Sequence, residues 1–109
     1  MTSLAKRDMF AERDRQVCDE GFDAAHDDEY ENGELICAAI AYALHALNHG
    51  DKEGDDYTDH PPDAWPICWD IVWWKPKSPR RDLVRAGALL IAEIDRLDRA
   101  AAKLKARKT

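Results

Sequence analysis

Ser78 and Pro79 mark the start of the most strongly indicated helix in this chain. A serine cap followed by proline is a common helix start, because the first helical position has no partner for an amide hydrogen anyway. From there, seam residues recur at alternating spacings of four and three, as in a heptad repeat: Leu83, Gly87, Leu90, Ile94, Leu97, Ala101 and Leu104. The sequence therefore predicts a long helix over 79–106 whose seam invites a partner helix, with a second copy of the chain as one candidate.

Two shorter helices are predicted before it. Residues 3–19 are mostly strong helix formers, contain no proline or glycine, and are followed by Gly21 as a stop. Residues 33–47 carry apolar side chains around nearly the whole circumference, and Asn32 stands where it can cap their start. A helix of that kind is buried on several sides, so we expect it to be the central element.

The segment 49–77 combines helix breakers with large aromatic side chains. It holds Gly54 and four of the five prolines, and also all four tryptophans: Trp65, Trp69, Trp73 and Trp74. Tryptophans bury large areas, so we expect a packed covering loop with one or two helical turns around 63–70. The predicted fold is an all-α, bundle-like single domain over 1–109, with three main helices under this loop.

Composition narrows the class of protein. The net charge of −6 argues against general affinity for nucleic acid, although 51–59 is acidic and 103–108 is basic. No apolar run reaches the roughly 18 residues of a membrane span, and the first eight residues do not resemble a signal peptide. We therefore expect no membrane partner and a cytoplasmic protein. The three cysteines include no C-x-x-C pair, which disfavours a disulfide framework or a thiolate zinc site.

The polar block from Glu20 to Tyr30 is the first candidate site. Its members His26, Asp27 and Asp28, with Glu12 and Glu34 on the flanking helices, could bind a hard divalent cation or carry out acid–base chemistry. The alternative is structural: acids are favoured at a helix N-terminus, and a histidine can bond to backbone. Neither a H-E-x-x-H motif nor a calcium loop is present.

The second candidate site is the aromatic and basic run from Trp73 to Arg81. Aromatic faces beside cations, leading into a helix N-terminus, can hold an anion or a nucleotide base. The alternative is that the tryptophans fill the core, and that Arg80 or Arg81 pairs with acids of the 26–34 block. Both candidate sites adjoin helix starts, so we expect them to meet in one cleft.

Several short sequence segments, taken together in their order along the chain, resemble those of a family of small uncharacterised proteins encoded by tailed bacteriophages and prophages. The resemblance covers about residues 11–100 and implies a phage accessory protein, a class that includes inhibitors of host defence and metabolism. The phrases are Glu12-Arg13-Asp14-Arg15-Gln16, Glu20-Gly21-Phe22, His26-Asp27-Asp28, Gly33-Glu34-Leu35, Trp73-Trp74-Lys75-Pro76, Arg80-Arg81-Asp82-Leu83-Val84 and Glu93-Ile94-Asp95-Arg96-Leu97.

A second comparison is with the all-α nucleotide pyrophosphohydrolases of the MazG type. Those enzymes hold magnesium with helix carboxylates, and their first motif is a tight E-E-x-x-E cluster. The first helix of this chain offers only Glu12, among basic neighbours. Under this resemblance Mg²⁺ or Mn²⁺ would be held by Glu12, Asp27, Asp28 and Glu34.

The leading hypothesis is a non-enzymatic, phage-type accessory protein in a bacterial cytoplasm, without a cofactor. It would bind a host protein or a small anionic, nucleotide-like ligand, and it would form a homo-oligomer through the third helix. The alternatives are a metal-dependent nucleotide pyrophosphohydrolase and a purely structural oligomer. The predicted ligand-binding residues are His26, Asp27, Asp28, Tyr30, Trp73, Trp74, Lys75, Arg80 and Arg81, and no catalytic residue is assigned.

Overall fold

The structure, a computed structural model, describes residues 3–21, 23–52 and 57–108. Within these ranges the chain is all-α and contains no strand, as the sequence predicted. Phe22, Gly54 and the middle of the acidic 51–59 stretch lie outside the described residues. No helix in the described ranges is both long and apolar enough to cross a membrane.

Three long helices and one short helix make up the architecture. They are α1 (Leu4–Asp19), the four-residue α2 (Ala24–Asp27), α3 (Glu34–His49) and α4 (Pro79–Arg107). The short α2 was not predicted. Its start is capped by Asp23, whose Oδ1 accepts from the His26 amide at 2.9 Å.

Helix α4 begins as its sequence predicts. The Ser78 Oγ accepts from the Arg81 amide at 3.2 Å, and Pro79 occupies the first turn. Its 29 residues make a rod of about 44 Å at 1.5 Å per residue. Residues 100–108 are exposed on every side, so the C-terminal turns extend past the rest of the chain.

The central element is α4, which corrects our expectation for the 33–47 helix. Helices α1, α2 and α3 each pack against α4. α3 runs antiparallel to it, because Gly50 lies beside Pro79 at one end while Tyr42 lies beside Arg85 farther along. One side of α3 remains open to solvent, so this helix is not buried all round.

The start of α3 also differs from the prediction. Its N-cap is Gly33, at φ 82°, and not Asn32. Glycine adopts this left-handed conformation without the steric cost of a side chain. The Asn32 backbone amide instead donates to the Glu34 carboxylate at 2.8 Å. Glu34, the first residue of α3, thus accepts a hydrogen bond from an amide that lies just before the helix.

Helix α1 turns its polar side inward. Glu12 and Gln16 are buried, whereas Leu4, Phe10 and Val17 are exposed. The apolar positions of the 3–19 segment would instead predict Leu4, Phe10 and Val17 on the buried side. The reason is that the inward carboxylate of Glu12 meets guanidinium groups, which make its burial tolerable.

The segment between α3 and α4 covers one side of the helices. Its turns near Trp65 and Trp69 are closed by hydrogen bonds from their amides to the carbonyls of Pro62 and Pro66, at 3.0 and 3.1 Å. Among its described residues, the 3₁₀ helix Ile71–Trp73 forms a helical turn. Thus the helical turn follows the predicted 63–70 region. The segment adds Trp69 and Trp74 to a core otherwise built from α3 and α4: Leu35, Ala38, Ala39, Ala41, Tyr42, Ala86, Leu89 and Ala92.

Candidate functional site

A cavity of about 270 Å³ opens between α1, α2 and the tryptophan-rich segment. Its floor is formed by one residue of α3, Tyr42, and two residues of α4, Arg85 and Leu89. The other lining residues are Glu12, Arg15, Gln16 and Glu20 of α1, His26 of α2, and Trp65, Trp69, Trp73 and Lys75 of the covering segment. Every long helix therefore contributes to this one site.

One wall of the cavity is aromatic. The Trp65 ring packs edge-on against Trp69 at 5.5 Å between centroids and against Tyr42 at 6.0 Å. Trp69 in turn contacts Trp73 at 5.7 Å, and Trp73 is 46% exposed. These ring pairs fix a wall of flat apolar surfaces that runs from the buried floor to solvent.

The cavity also presents cationic groups. The Arg85 guanidinium lies over the Tyr42 ring, 5.8 Å from its centroid, and donates to the carbonyl of Lys75. The Lys75 amide donates to the Tyr42 hydroxyl at 3.3 Å, which holds this backbone against the floor. Among the described carboxylates, none lies within ion-pair distance of the Lys75 ammonium group, so its charge is available to a ligand.

Glu12 anchors the α1 side. Arg15 grips its two carboxylate oxygens at 2.7 and 2.8 Å, Arg81 of α4 binds one of them, and Gln16 donates at 3.4 Å. Burial opposes ionisation of this side chain, but the hydrogen bonds and charges of Arg15 and Arg81 outweigh it and lower the Glu12 pKa. Glu12 is therefore ionised at neutral pH and holds both arginines in place.

His26 is held in a fixed orientation at the cavity edge. Its Nδ1 lies 3.2 Å from the Asp27 carboxylate, which is fully buried and also bound by Arg13 at 2.7 Å. A carboxylate only accepts hydrogen bonds, so Nδ1 donates to Asp27, and the ring's Nε2 lies 3.1 Å from the Tyr30 hydroxyl. Burial, assisted by Glu29 and Asp27, raises the Tyr30 pKa and keeps that hydroxyl protonated.

Unpaired polar atoms are concentrated at the cavity. Within the described ranges, five buried side-chain polar atoms lack a hydrogen-bond partner, and four belong to residues that line it. These four are Gln16 Oε1, Trp65 Nε1, Trp69 Nε1 and Arg85 Nε. Buried polar groups are normally paired, because an unpaired one costs about 1–3 kcal/mol. Three donors and one acceptor are thus unpaired on residues around the cavity, although the atoms themselves are covered.

The predicted ligand-binding residues are only partly brought together. His26, Trp73 and Lys75 line the cavity, while Asp27 and Tyr30 lie behind His26. Trp74 belongs to the core, where its Nε1 donates to the Asp59 carbonyl at 2.7 Å.

The remaining predicted residues form ion pairs away from the cavity. Asp28 is bound by Arg99 at 2.8 Å and Lys103 at 3.6 Å. Arg80 pairs with Asp8 at 2.9 Å, and Arg81 pairs with Glu12. The structural alternative, that Arg80 or Arg81 pairs with acids of the 26–34 block, is therefore wrong, because both arginines pair with acids of α1.

The four carboxylates of the metal alternative do not form a cluster. Glu12 and Asp27 are bound by arginines, Asp28 by an arginine and a lysine, and Glu34 by the Asn32 amide. No group of three histidine, cysteine or acidic side chains suited to a metal ion occurs among the residues that the structure describes.

Of the twelve residues that line the cavity, only His26, Trp73 and Lys75 are among the predicted ligand-binding residues. Sequence reasoning missed Arg15 and Gln16 of α1, and also Tyr42 and Trp65. A signal for the α1 residues did exist, since Glu12 and Gln16 stand one helical turn apart. Nothing in the local pattern of Arg85 distinguishes it from the other α4 arginines.

Comparisons with protein-family models, curated proteins and solved structures found no significant match to this chain. The class of protein is therefore defined by the fold and the cavity alone. It is a small all-α protein with an aromatic and cationic cavity between its first helix and a tryptophan-rich segment.

Proposed function

We propose that this protein binds a small anionic molecule with a flat ring, of which a mononucleotide is the model. The observation that carries the proposal is a single cavity whose wall holds the rings of Trp65, Trp69 and Trp73 and whose lining includes the exposed Lys75.

The chemistry of the walls supports a flat ring and a negative charge. The faces and edges of Trp65, Trp69 and Trp73 favour stacking against a planar ring. Lys75 supplies positive charge to the same cavity, where Arg15 and Arg85 are paired with Glu12, Glu20 and Asp82. Charge-assisted hydrogen bonds to phosphate are among the stronger polar contacts.

The size of the cavity limits the ligand. Its volume of about 270 Å³ lies just below the common range for small-molecule sites, roughly 300–1,000 Å³. This size suits a single base or a mononucleotide whose phosphate reaches the exposed Lys75. A dinucleotide cofactor does not fit within it.

Thermal unfolding with a panel of compounds tests the proposal. The panel contains the common ribo- and deoxyribonucleotides, the matching nucleosides, ribose 5-phosphate and inorganic phosphate. Because a ligand that binds only the folded state stabilises it, at least one nucleotide should raise the Tm by several degrees. Its nucleoside and inorganic phosphate should raise the Tm less, since each makes only part of the contacts. A panel in which no nucleotide exceeds inorganic phosphate would overturn the proposal.

The same panel separates the other hypotheses. With Mg²⁺ or Mn²⁺ added, release of pyrophosphate from a nucleoside triphosphate would favour the hydrolase alternative. If no compound binds and a bacterial lysate yields a specific protein partner, the host-protein form of the accessory hypothesis replaces ligand binding. Under the phage resemblance, the protein would interfere with the host cell by binding its nucleotides or one of its proteins.

A further inference from the structure

The helices form a thin layer that is covered on one face. The molecule measures 54 × 39 × 23 Å, and a helix with its side chains is about 10–12 Å across. The short dimension therefore corresponds to one layer of helices plus the tryptophan-rich segment. Since domains bury apolar surface by packing layers against each other, the opposite face of the helix layer is the place to look for uncovered apolar residues.

Helix α4 presents an apolar stripe to solvent. Leu83, Leu90, Ile94 and Leu97 are 51%, 43%, 57% and 50% exposed. Spacings of three, four and seven residues place them on one side of the helix. The buried residues of α4, such as Leu89 and Ala92, belong to the core, so the stripe lies away from it.

The neighbouring helices add to this surface. On α3, Ile36 and Ile40 are 37% and 44% exposed. On α1, Phe10 and Val17 are 58% and 36% exposed and lie on the side away from Glu12, which lines the cavity. We name these four residues, with the α4 stripe, the apolar face.

We propose that the apolar face binds a second copy of this chain and forms a symmetric dimer. A standard interface buries about 800 Å² on each partner, of which somewhat more than half is apolar. Eight large side chains, each about half exposed, supply roughly 400 Å² at about 100 Å² for a fully buried side chain. The apolar face is therefore the size that one dimer interface requires.

The seam favours an identical partner. Its d positions are all leucine, Leu83, Leu90, Leu97 and Leu104, as in two-stranded helix pairs, and Ile94 is the one β-branched residue among its three a positions. Apart from Gly87, which packs against Met9 of α1, the seam residues are exposed and uncharged, so they can meet the same residues of a second copy. Leu104 lies in the C-terminal turns, which extend past the chain's own body. A partner helix of the same length and period would cover these turns.

Sedimentation equilibrium of Leu97→Asp and Ile67→Asp tests the proposal. Wild type should sediment at twice its 12.4 kDa chain mass. Leu97→Asp places a carboxylate in the interface and should weaken dimerisation at least about 100-fold. Ile67→Asp changes a fully exposed residue of the covering segment and should leave the dimer intact.

Concentration-dependent unfolding provides the second measurement. The Tm of wild type and of Ile67→Asp should rise with protein concentration, whereas that of Leu97→Asp should not. A wild-type monomer, an assembly larger than a dimer, or a dimer that Leu97→Asp leaves unchanged would each overturn the proposal. Because Leu97 is half exposed in the single chain, this variant should fold, and its helical circular dichroism verifies that.

Discussion

At the scale of single residues, buried charges determine how this protein is held together. Glu12 joins α1 to α4 through Arg81 while Arg15 closes over the same carboxylate. Asp82, at the start of α4, is fully buried and accepts from the Tyr57 hydroxyl and the Lys77 amide. Each of these two side chains connects segments far apart in sequence, so replacing it should affect more than one element.

Glu12→Gln should lower the free energy of unfolding by about 2 kcal/mol, because Arg15 and Arg81 lose their shared counter-ion while remaining partly buried. Urea unfolding at pH 7 measures the loss. Asp8→Asn is the control, since it removes another α1–α4 ion pair, to Arg80, whose arginine is 61% exposed. Equal losses in the two variants would contradict the account of Glu12.

Asp82 should make stability depend on pH in a specific direction. Burial raises its pKa, in spite of the bonds from Tyr57 and Lys77. At pH values between the unfolded pKa of about 3.9 and the raised folded pKa, the folded state binds this proton more tightly than the unfolded state does. This contribution to stability is therefore complete at low pH and is lost as the pH rises.

The test is the difference in unfolding free energy between wild type and Asp82→Asn. The other titrating groups contribute equally to both proteins and cancel. The free energy of unfolding of wild type minus that of Asp82→Asn should therefore fall as the pH is raised from about 4 and become constant above the folded pKa of Asp82. A difference that rises with pH would mean that the ionised carboxylate is favoured in the fold.

At the scale of elements, α1 depends on an unusual contact with α4. Gly87 lies directly under the Met9 side chain, and a Cβ at this position would overlap its sulfur and methyl group. Glycine in a helix interior costs about 1 kcal/mol relative to alanine. The absence of a side chain at Gly87 therefore allows α1 to approach α4 closely.

Gly87→Ala should consequently act differently in two backgrounds. Alone, it should stabilise the protein by clearly less than about 1 kcal/mol, because the flexible end of the Met9 side chain must move aside and this offsets part of the gain in helix preference. In a Met9→Ala background, the same change should stabilise by about 1 kcal/mol, since only the helix preference remains. Thermal unfolding of wild type, Gly87→Ala, Met9→Ala and the double variant gives the coupling energy between the two positions. If the two changes in unfolding free energy simply add, the contact between Gly87 and Met9 is contradicted.

The local signals of the sequence explain which elements could be predicted. Ser78, Pro79 and the seam define α4 because capping and periodicity act within a few residues. The orientation of α1 could not be predicted, since its inward side is selected by Arg81, 69 positions away. The cavity was foreseen only through His26, Trp73 and Lys75, because pattern alone does not bring Arg15 or Arg85 to it.

At the scale of the whole molecule, the two faces of the helix layer have different chemistry. One face carries the tryptophan-rich segment and the cavity, and the other carries the apolar face. The two proposals therefore concern opposite faces and can fail separately. A monomeric protein that still binds nucleotides would remove the dimer alone, and a dimer without ligand would remove the binding proposal alone.

The cavity itself offers a matched pair of variants. Lys75 lines it, whereas Lys77, two residues later and also exposed, does not. Lys75→Ala and Lys77→Ala each remove one positive charge from the surface of the same segment, so both change the electrostatics of the whole protein nearly equally. A difference between them isolates the contribution of the cavity.

Tryptophan fluorescence is the most direct measurement of ligand binding, because three of the four tryptophans line the cavity. A stacked nucleotide should quench the emission of wild type and of Lys77→Ala with Kd values within about twofold of each other, while Lys75→Ala should bind about tenfold more weakly. Emission that no nucleotide changes, or equal Kd values for Lys75→Ala and Lys77→Ala, would contradict the assignment of this cavity as a binding site for a flat anion.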